Sequence, residues 1–424
     1  MSAYWPGPWS CEDGGPRRQA VPGAGAALGI SPGETVAALS RLAPAATMVV
    51  TRDPGEVFLL RHTAGDDAIS FVERIDPITL EPLARSADLQ GGPTWPGSLA
   101  AHANGSLYVV FGNHAHRLDA ELSLLATTEL PRRRPYNGFV VLADGSLVTK
   151  AFAGSRPGHA VAPAARERCE LVVLEPERLG IIGRTILAEP SVARLSANDD
   201  TVYVVGDTTL LRAHWDGANL VEEEGFARPY RTMEGQTYGW DCVLAAGAAW
   251  FLDDGEGSEH YSGTLRGHGV SSAPLHLVRT DLTTGAVTTA EICGLVGGLI
   301  ANPPVIDEGG SIAVGFDTGN GVMAAFSIGE GGSLTPRWSR QQDHGAHMVL
   351  FADSGELVTG DYDTARGIEQ AVVLDVRTGA ELARVDTESP LQSVLFPAAG
   401  FERDVYLTTF SHVTRLFVVG PGSA

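Results

Sequence analysis

The amino-acid sequence predicts an all-β fold in which small repeated sheets close into a ring. One unit recurs eight times along the 424 residues: an apolar strand, a short polar or glycine turn, and a second apolar strand. Most copies are followed by another hairpin, so each unit makes one four-stranded sheet. Helical periodicity is missing over any convincing length. Because such sheets bury both faces only when they stack radially around an axis, the predicted architecture is a β-propeller of eight four-stranded blades, with seven blades as the alternative.

The eight copies divide the chain into a ring and two terminal segments. Their hairpins span 48–60, 99–111, 139–152, 192–206, 242–254, 305–317, 348–361 and 393–410. The final copy supplies only three strands (391–397, 404–410 and 413–419), so we expect the N-terminal segment Glu34 to Leu42 to supply the fourth. The predicted organisation is an N-terminal arm (1–46) that partly completes the last blade, a single propeller domain (47–420) and a tail (421–424).

Two of the second hairpins contain an Asp-x-x-Thr-Gly turn, at Asp281 to Gly285 and at Asp375 to Gly379. On these turns, the chain from about residue 47 to residue 420 resembles the quinoprotein-dehydrogenase-like group of bacterial propellers. The tryptophan positions expected of pyrroloquinoline-quinone repeats do not follow either turn at matching offsets. The resemblance therefore implies the fold, and neither that cofactor nor a reaction.

Charge and composition narrow the class of partner. The chain has 30 basic and 51 acidic residues, a formal net charge of −21. Nucleic acid is not an expected partner, because binding its backbone needs clustered Lys and Arg. A membrane is not expected either, since no apolar run reaches the roughly 18 residues of a spanning helix and the N-terminus lacks the features of a secretory signal. Four widely spaced cysteines without a C-x-x-C pair predict free thiols in a cytoplasmic protein.

The two longest insertions of the repeat predict which face of the ring holds a ligand. Ala153 to Arg168 and Asp254 to Ala273 both fall between the second and third strands of a blade. Loops at that position emerge on one face, together with the connections between blades. Both insertions are rich in glycine, and we interpret them as lids over a site on that face. The alternative is that they are tolerated surface insertions.

Aromatic and polar side chains occur together where the innermost strands are predicted to begin, on the same face. Aromatic side chains bury area and a few polar groups orient a ligand, which suits a small organic molecule. The residues predicted to bind it are Arg134, Tyr136, Asn137, Tyr238, Trp240 and Asn302, together with Asp317 at the end of a second strand. The alternative is that Tyr136, Tyr238 and Trp240 only fill the channel.

Catalysis at this face would depend on acid–base groups, because no Gly-x-Ser-x-Gly motif supplies a nucleophile. The predicted catalytic residues are Lys150, Asp241, His344 and His412. Lys150 is the only lysine among the 30 basic residues and stands at an apolar position of its strand. We therefore expect it to be partly desolvated, with a lowered pKa. The alternative is a surface lysine whose charged end reaches water.

A divalent metal, calcium or a transition metal, is the candidate cofactor. The predicted ligands are His347, Asp361 and Asp363. Imidazole and carboxylate together bind zinc, iron or manganese. Two aspartates two residues apart on a strand share a face, and with carbonyl oxygens they could chelate calcium. Acid–base chemistry without a metal is the alternative.

These observations predict a small-molecule enzyme with its site at the mouth of the propeller channel. The expected chemistry is hydrolysis, elimination or isomerisation, by acid–base or metal-assisted steps. A non-catalytic propeller that binds a protein or another ligand is the alternative function. The sequence gives no prediction of the oligomeric state.

Overall fold

The structure, a computed structural model, describes residues 2–23, 25–154, 166–258, 265–345, 347–391 and 396–420. Within them the chain forms eight antiparallel sheets and almost no helix. The strands before and in the first four blades are β1 (Thr35–Leu42), β2 (Ala46–Thr51), β3 (Val57–His62), β4 (Ala68–Ile75), β5 (Pro82–Arg85), β6 (Leu89–Gly92), β7 (Ser98–Ala101), β8 (Leu107–Phe111), β9 (His114–Leu118), β10 (Leu124–Glu129), β11 (Tyr136–Val141), β12 (Leu147–Ala151), β13 (Glu170–Leu174), β14 (Ile181–Ile186), β15 (Ser196–Asn198), β16 (Thr201–Val205), β17 (Thr209–Trp215), β18 (Leu220–Glu222) and β19 (Arg228–Pro229).

The remaining strands belong to blades five to eight. They are β20 (Val243–Ala245), β21 (Ala248–Leu252), β22 (His276–Asp281), β23 (Val287–Glu291), β24 (Val305–Asp307), β25 (Ile312–Asp317), β26 (Val322–Ile328), β27 (Leu334–Gln341), β28 (Val349–Phe351), β29 (Glu356–Asp363), β30 (Ile368–Asp375), β31 (Glu381–Asp386), β32 (Ala398–Ala399), β33 (Asp404–Thr408) and β34 (His412–Val419). Short 3-10 turns occur at Glu12–Gly14, Glu224–Phe226 and Glu330–Gly332.

The sheets are the eight blades of a propeller, as the repeat predicts. In seven blades the four strands follow one another in chain order across the sheet. The first strands of neighbouring blades contact one another around the axis, as β7 does with β2 and β11, and β24 with β20 and β28. Blade one has a fifth strand, β6, which pairs with β4, and blade four has β19, which pairs with β17. These two short additions were not expected from the repeat.

The ring closes between the two ends of the chain, and this prediction is also confirmed. Strand β1 pairs with β34 in antiparallel register from Thr35 opposite Val419 to Leu42 opposite His412. The last blade therefore has the strand order β1-β34-β33-β32. Its innermost strand, β32, is only two residues long and lies just after the predicted range 391–397. Residues 392–395 and the predicted tail 421–424 lie outside the described residues.

The second strand of each blade explains the unbroken apolar runs of the sequence. Strands β8 and β21 are buried along their whole length, because neighbouring blades cover both faces of each sheet. The outermost strands are solvent-facing, as in β5, where all four residues are exposed. Both predicted insertions do lie between second and third strands. Their central parts, 155–165 and 259–264, are outside the described residues, so the lid interpretation stays a prediction.

The N-terminal arm also crosses the channel before it reaches β1. Tyr4 forms a β-bridge with His102, and Cys11 forms one with Ala100, both at the axis side of blade two. Farther along, the carbonyl oxygens of Pro16, Arg17 and Ala20 accept hydrogen bonds from inner-strand N–H groups of blades four, five and seven, at 2.7–2.9 Å. The arm therefore fills one end of the channel.

The four cysteines are unpaired, as their spacing predicts, and three of them are buried. No helix in the described part of the chain is long and apolar enough to cross a membrane.

Candidate functional site

A cavity of about 330 Å³ lies at the face of the ring where the innermost strands begin. Residues from all around the ring contribute to its wall, mostly in the connections between blades. Its lining residues are Ala45, His62, Thr94, Trp95, Pro96, Asn137, Arg194, Trp240, Asp241, Ser258, Leu265, Ile300, Ala301, His347, Phe396 and Phe410. The walls are mainly apolar and aromatic, and polar groups are few, which is the usual composition of a small-molecule site.

The aromatic walls are held in fixed positions. Trp95 stacks on Phe152 with ring centroids 4.3 Å apart. Phe410 has a backbone φ of 61°, a region that bulky residues rarely adopt. Its carbonyl oxygen accepts a hydrogen bond of 2.6 Å from the N–H of Ala45, which also has a positive φ of 55°. Backbone strain of this kind is concentrated at functional sites, because the surrounding structure has to maintain it.

A buried ion network forms the floor of the cavity. Nη2 of Arg18 lies 2.9 Å from Glu12 Oε1, 2.5 Å from Asp13 Oδ2 and 3.1 Å from Asp241 Oδ2. Arg194 pairs with the same Glu12 oxygen through Nη1. Burial alone would lower the pKa of Arg18, and the three carboxylates instead raise it well above its ordinary value. The arm thus places a charged cluster beneath an apolar cavity.

Arg194 connects this floor to the side wall. Its Nε donates to the Asn137 carbonyl oxygen at 2.5 Å, and its Nη2 donates to the Pro96 carbonyl oxygen at 3.0 Å. The backbone N–H of Arg194 donates to Asp241 Oδ1 at 2.5 Å. Each nitrogen of the Arg194 guanidinium therefore has a partner, and the side chain connects the arm with two neighbouring parts of the cavity wall.

His347 and Asp13 form a hydrogen-bonded pair between floor and wall. The ring Nδ1 of His347 lies 3.0 Å from Asp13 Oδ1, and both side chains are buried. Burial alone would raise the pKa of Asp13, but Arg18 and His347 reverse this and hold it at about 2. Within the described part of the chain, no hydrogen bond occupies Nε2 of His347, which lines the cavity.

Ligand atoms of Glu12, Asp13 and His347 lie within 4.8 Å of one another, close enough to share a metal ion. The carboxylates already contact Arg18 and Arg194, so a divalent ion would have to compete with two guanidinium groups for the same oxygens. This arrangement is an ion-pair network, in which Glu12 Oε1 and Asp13 Oδ2 already contact guanidinium groups.

Four of the residues predicted from the sequence come together in this cavity. Asn137 and Trp240 belong to the predicted binding set, Asp241 to the predicted catalytic set and His347 to the predicted metal ligands. All four lie at or just before the start of an innermost strand, which is the position from which they were selected. Their individual roles stay predictions.

The other predicted binding residues lie outside the cavity lining. Arg134 pairs with Glu167 at 3.0 Å, and the Tyr136 hydroxyl donates to Glu170 at 3.3 Å. Tyr238 is buried beneath the guanidinium of Arg166. The remaining two make hydrogen bonds to nearby backbone groups. Asn302 donates to the Pro303 carbonyl oxygen at 3.0 Å. Asp317 accepts from the N–H groups of Leu299 and Asn320 at 3.2 and 3.0 Å.

Three of the predicted catalytic residues are also elsewhere. Lys150 is fully buried, its Nζ donates to the Ser191 carbonyl oxygen at 3.1 Å, and burial lowers its pKa. This agrees with the expected desolvation and not with a surface position. His344 is fully buried with Nε2 at 3.5 Å from Glu369 Oε1. His412 is half-buried at the start of β34 and bonds to its own neighbour.

The predicted metal ligands are not brought together. Asp361 Oδ2 pairs with Arg384 at 2.8 Å, and Asp363 pairs with Arg366 at 2.6 Å near the surface. His347 instead lies beside Asp13 of the N-terminal arm, a residue for which no role was predicted. The spacing of two residues predicted that the aspartates share a face of the strand. Both carboxylates are instead paired with arginines, Arg384 of β31 and Arg366 of the turn between β29 and β30.

Several residues of the cavity and its floor, in the arm and in the blade connections, were not predicted from the sequence. Glu12, Asp13 and Arg18 are separated by more than 200 residues from Asp241, so no local pattern links them. Trp95 and Phe396 precede innermost strands, as Trp240 does, and the same positional argument could have found them.

A second buried His–Asp cluster lies behind Trp240, in blade five. Asp253 accepts from Gln236 Nε2 at 2.6 Å, from the His276 N–H at 2.6 Å and from His276 Nδ1 at 3.0 Å. The adjacent Asp254 has a φ of 60°, and it accepts from the Thr237 N–H at 2.9 Å. Burial, and then the charge of Asp253, raises the pKa of Asp254 to about 7.

Asp254→Asn is expected to raise the melting temperature at pH 8 by a few degrees and to leave it unchanged near pH 4. The folded-state pKa lies above the ordinary value of 3.8, so the wild-type protein loses stability as pH rises from about 4 to 7. Asparagine keeps the accepted hydrogen bond and tolerates the positive φ. Thermal unfolding across this pH range tests it. Asp253→Asn is the contrast: asparagine replaces one of the two acceptor oxygens by an NH₂ group, which would face a donor, so stability should fall at every pH.

No family model matches the sequence, and no curated protein matches it. Solved structures do match. The quinohemoprotein alcohol dehydrogenase of Comamonas testosteroni is 10% identical with a TM-score of 0.66, over 100% of this chain and 82% of that chain. BamB of Moraxella catarrhalis is 12% identical with a TM-score of 0.57, over 90% and 97%. A europium-containing methanol dehydrogenase is 11% identical with a TM-score of 0.60, over 95% and 89%. At these identities the likeness shows the propeller fold alone, as the sequence resemblance implied.

Proposed function

We propose that the protein is an acid–base enzyme that transfers protons on a small molecule bound in the cavity. The observation that carries this proposal is the pair formed by His347 and Asp13. Asp13 accepts the hydrogen bond from Nδ1 at 3.0 Å, which fixes the ring and leaves the lone pair of Nε2 for the cavity. A buried carboxylate that orients a histidine in this way also stabilises the imidazolium that forms when the histidine takes a proton.

The low pKa of Asp13 supports this division of roles. At about 2, it keeps the carboxylate ionised throughout the range in which histidine exchanges protons. Asp13 therefore acts as the positioning residue, and His347 is the group that touches the ligand. The walls of the cavity are mainly apolar, and electrostatic interactions are stronger in such surroundings than in water.

Elimination or isomerisation fits the cavity better than hydrolysis through a covalent intermediate. Among the described lining residues, the side-chain hydroxyls belong to Thr94 and Ser258. The Ser258 hydroxyl donates to the Ile300 carbonyl oxygen at 2.8 Å, so its proton is not directed at a base. An activated nucleophile needs a hydrogen bond to its base, and no such pair with His347 occurs there.

The test is hydrogen–deuterium exchange at carbon. The protein is incubated in D₂O with a panel of aryl ketones, aryl amino ketones and aryl amino acids, and exchange of the α-hydrogen is followed by NMR. We expect at least one compound to exchange with the wild-type protein. His347→Gln should reduce the rate about 100-fold or more, the usual contribution of a general base. His214→Gln, at an exposed histidine of β17, is the matched control and should exchange normally.

The rival functions give different outcomes in the same assay. A non-catalytic binding scaffold would bind panel members without exchange, and equal rates for His347→Gln and wild type would remove His347 as the base. A metal-assisted enzyme would lose exchange after dialysis against EDTA, whereas we expect the dialysed protein to keep it.

A further inference from the structure

The cavity wall carries buried acceptor atoms that lack a donor. Among its described lining residues, the buried side-chain atoms without a hydrogen-bond partner are Asn137 Oδ1 and His62 Nε2. Asn137 uses its amide N–H on the Val192 carbonyl oxygen at 2.9 Å, so its oxygen is left over. His62 Nδ1 lies 2.6 Å from the Thr63 carbonyl oxygen, which can only accept, so Nδ1 carries the proton and Nε2 is an acceptor. A matching ligand therefore supplies N–H or O–H groups.

The ion pairs of the floor contain more carboxylates than guanidinium groups. Three carboxylates, those of Glu12, Asp13 and Asp241, share the two guanidinium groups of Arg18 and Arg194. These five groups by themselves, with histidine and the nearby Lys150 left out of the sum, carry a net charge of −1; burial lowers the pKa of Lys150, which favours its neutral form. One oxygen of the buried Glu12, Oε2, has no hydrogen-bond partner in the described part of the chain. In a water-poor site such a charge favours a ligand that brings one positive charge.

The walls favour the same class of ligand. Two tryptophans, Trp95 and Trp240, and two phenylalanines, Phe396 and Phe410, face the cavity. The electron-rich faces of aromatic rings attract a cation, most strongly for tryptophan, and their area buries an apolar body. The backbone of Gly255 packs close to the Trp240 ring, since a Cβ added there would lie 3.3 Å from it.

We propose that the ligand of this cavity is a protonated organic amine: an ammonium group with N–H donors on an aromatic or branched aliphatic body. The inference rests on the proposed function, since it assigns the substrate class of the same cavity. An ammonium group supplies the donors that Asn137 and His62 lack and the single positive charge that the floor lacks. The aromatic walls enclose the apolar body. A carboxylate or phosphate ligand would meet acceptors and a negative floor, so the cavity selects against it.

Three probes that share one body test the assignment: 2-phenylethylamine, 2-phenylethanol and 3-phenylpropionate, titrated calorimetrically at pH 7 into the full-length protein. We expect the amine to bind at least about tenfold more tightly than the alcohol, and the carboxylate to bind most weakly. Equal affinities, preference for the carboxylate, or no binding by the amine would each overturn the inference. The trimethylammonium analogue of the amine separates charge from donors, and it should bind more weakly than the amine.

Two variants assign the effect to named atoms. His62→Phe keeps the stacking on Phe111 and removes the Nε2 acceptor, so the amine should lose about tenfold in affinity and the alcohol less. Asp241→Asn removes the excess charge and should weaken the amine alone. If Asp241→Asn fails to fold, His62→Phe still decides the outcome. The exchange assay with His347→Gln does not depend on this ranking, so a wrong ligand class and a wrong reaction are distinguishable.

Discussion

Deletion of residues 1–42 is expected to leave a protein without cooperative unfolding, or with a melting temperature more than about 10 °C below that of the full chain. The deletion removes β1, which pairs with β34 over eight residues. It would expose the backbone groups of β34 as an unpaired edge and open the ring between the first and last blades. It would also remove the part of the arm that fills the channel. Calorimetry and light scattering would measure the loss of the transition and the aggregation that an open edge promotes.

Two further variants distinguish the closure of the ring by β1 from the filling of the channel by the preceding arm. Deletion of residues 1–33 keeps β1 and removes only the preceding arm, so it should retain a cooperative transition at a lower temperature. A rearranged chain that begins at residue 43 and carries 34–42 after residue 420, joined by a hairpin linker, restores the fourth strand from the other end. We expect it to melt close to the 1–33 deletion. A 1–42 deletion that melts within a few degrees of the full chain would contradict closure by β1.

The fold was predictable because each blade is encoded locally. In the turn at Asp281, the side-chain oxygen accepts from the N–H groups of Thr283 and Thr284 at 3.0 and 2.8 Å. Asp375 accepts the same pair of bonds, from the N–H groups of Arg377 and Thr378 at 2.8 and 3.0 Å. Short-range chemistry of this kind sets the hairpin, and the strands are apolar without alternation because blades cover both faces. Once the repeated blade is recognised, the number of blades is the main feature of the fold that remains to be determined.

The site was only partly predictable because its parts come from distant segments. Trp240 and Asp241 could be found from their place before an innermost strand, since every blade repeats that geometry. Asp13 and Arg18 could not, because their positions depend on how the arm crosses the assembled ring. Asp317, in contrast, was predicted to bind the ligand and does not line the cavity. It lies at the end of a second strand, where nearby backbone N–H groups donate to its carboxylate. Local capping and ligand binding select the same residue type there.

Arg18→Met is expected to cost about 3–5 kcal/mol of unfolding free energy at pH 7, the usual result of removing one partner from a buried ion network. Arg18 contacts three carboxylates at 2.5–3.1 Å, and its side chain is only 4% exposed. Without it, Arg194 alone faces Glu12, Asp13 and Asp241. Denaturant unfolding would measure the difference. Arg17→Met is the matched control, because the neighbouring Arg17 is exposed and its side chain makes no ion pair within the described residues, so its change should stay within about 0.5 kcal/mol.

The pH dependence of this difference identifies its cause. In the wild-type protein the pKa of Asp13 is about 2, below the ordinary value of 3.8, so its ionised form stabilises the fold above pH 3.8 and this contribution is lost as pH falls towards 2. In Arg18→Met, burial acts without the neutralising guanidinium and raises the pKa of the carboxyls it leaves behind. Protonation then relieves the buried charge as pH falls from 7 to 4, so the gap between variant and wild type should narrow over that range. A gap that stays constant with pH would mean that Arg18 stabilises the arm by packing, and that the floor of the cavity is not held by charge.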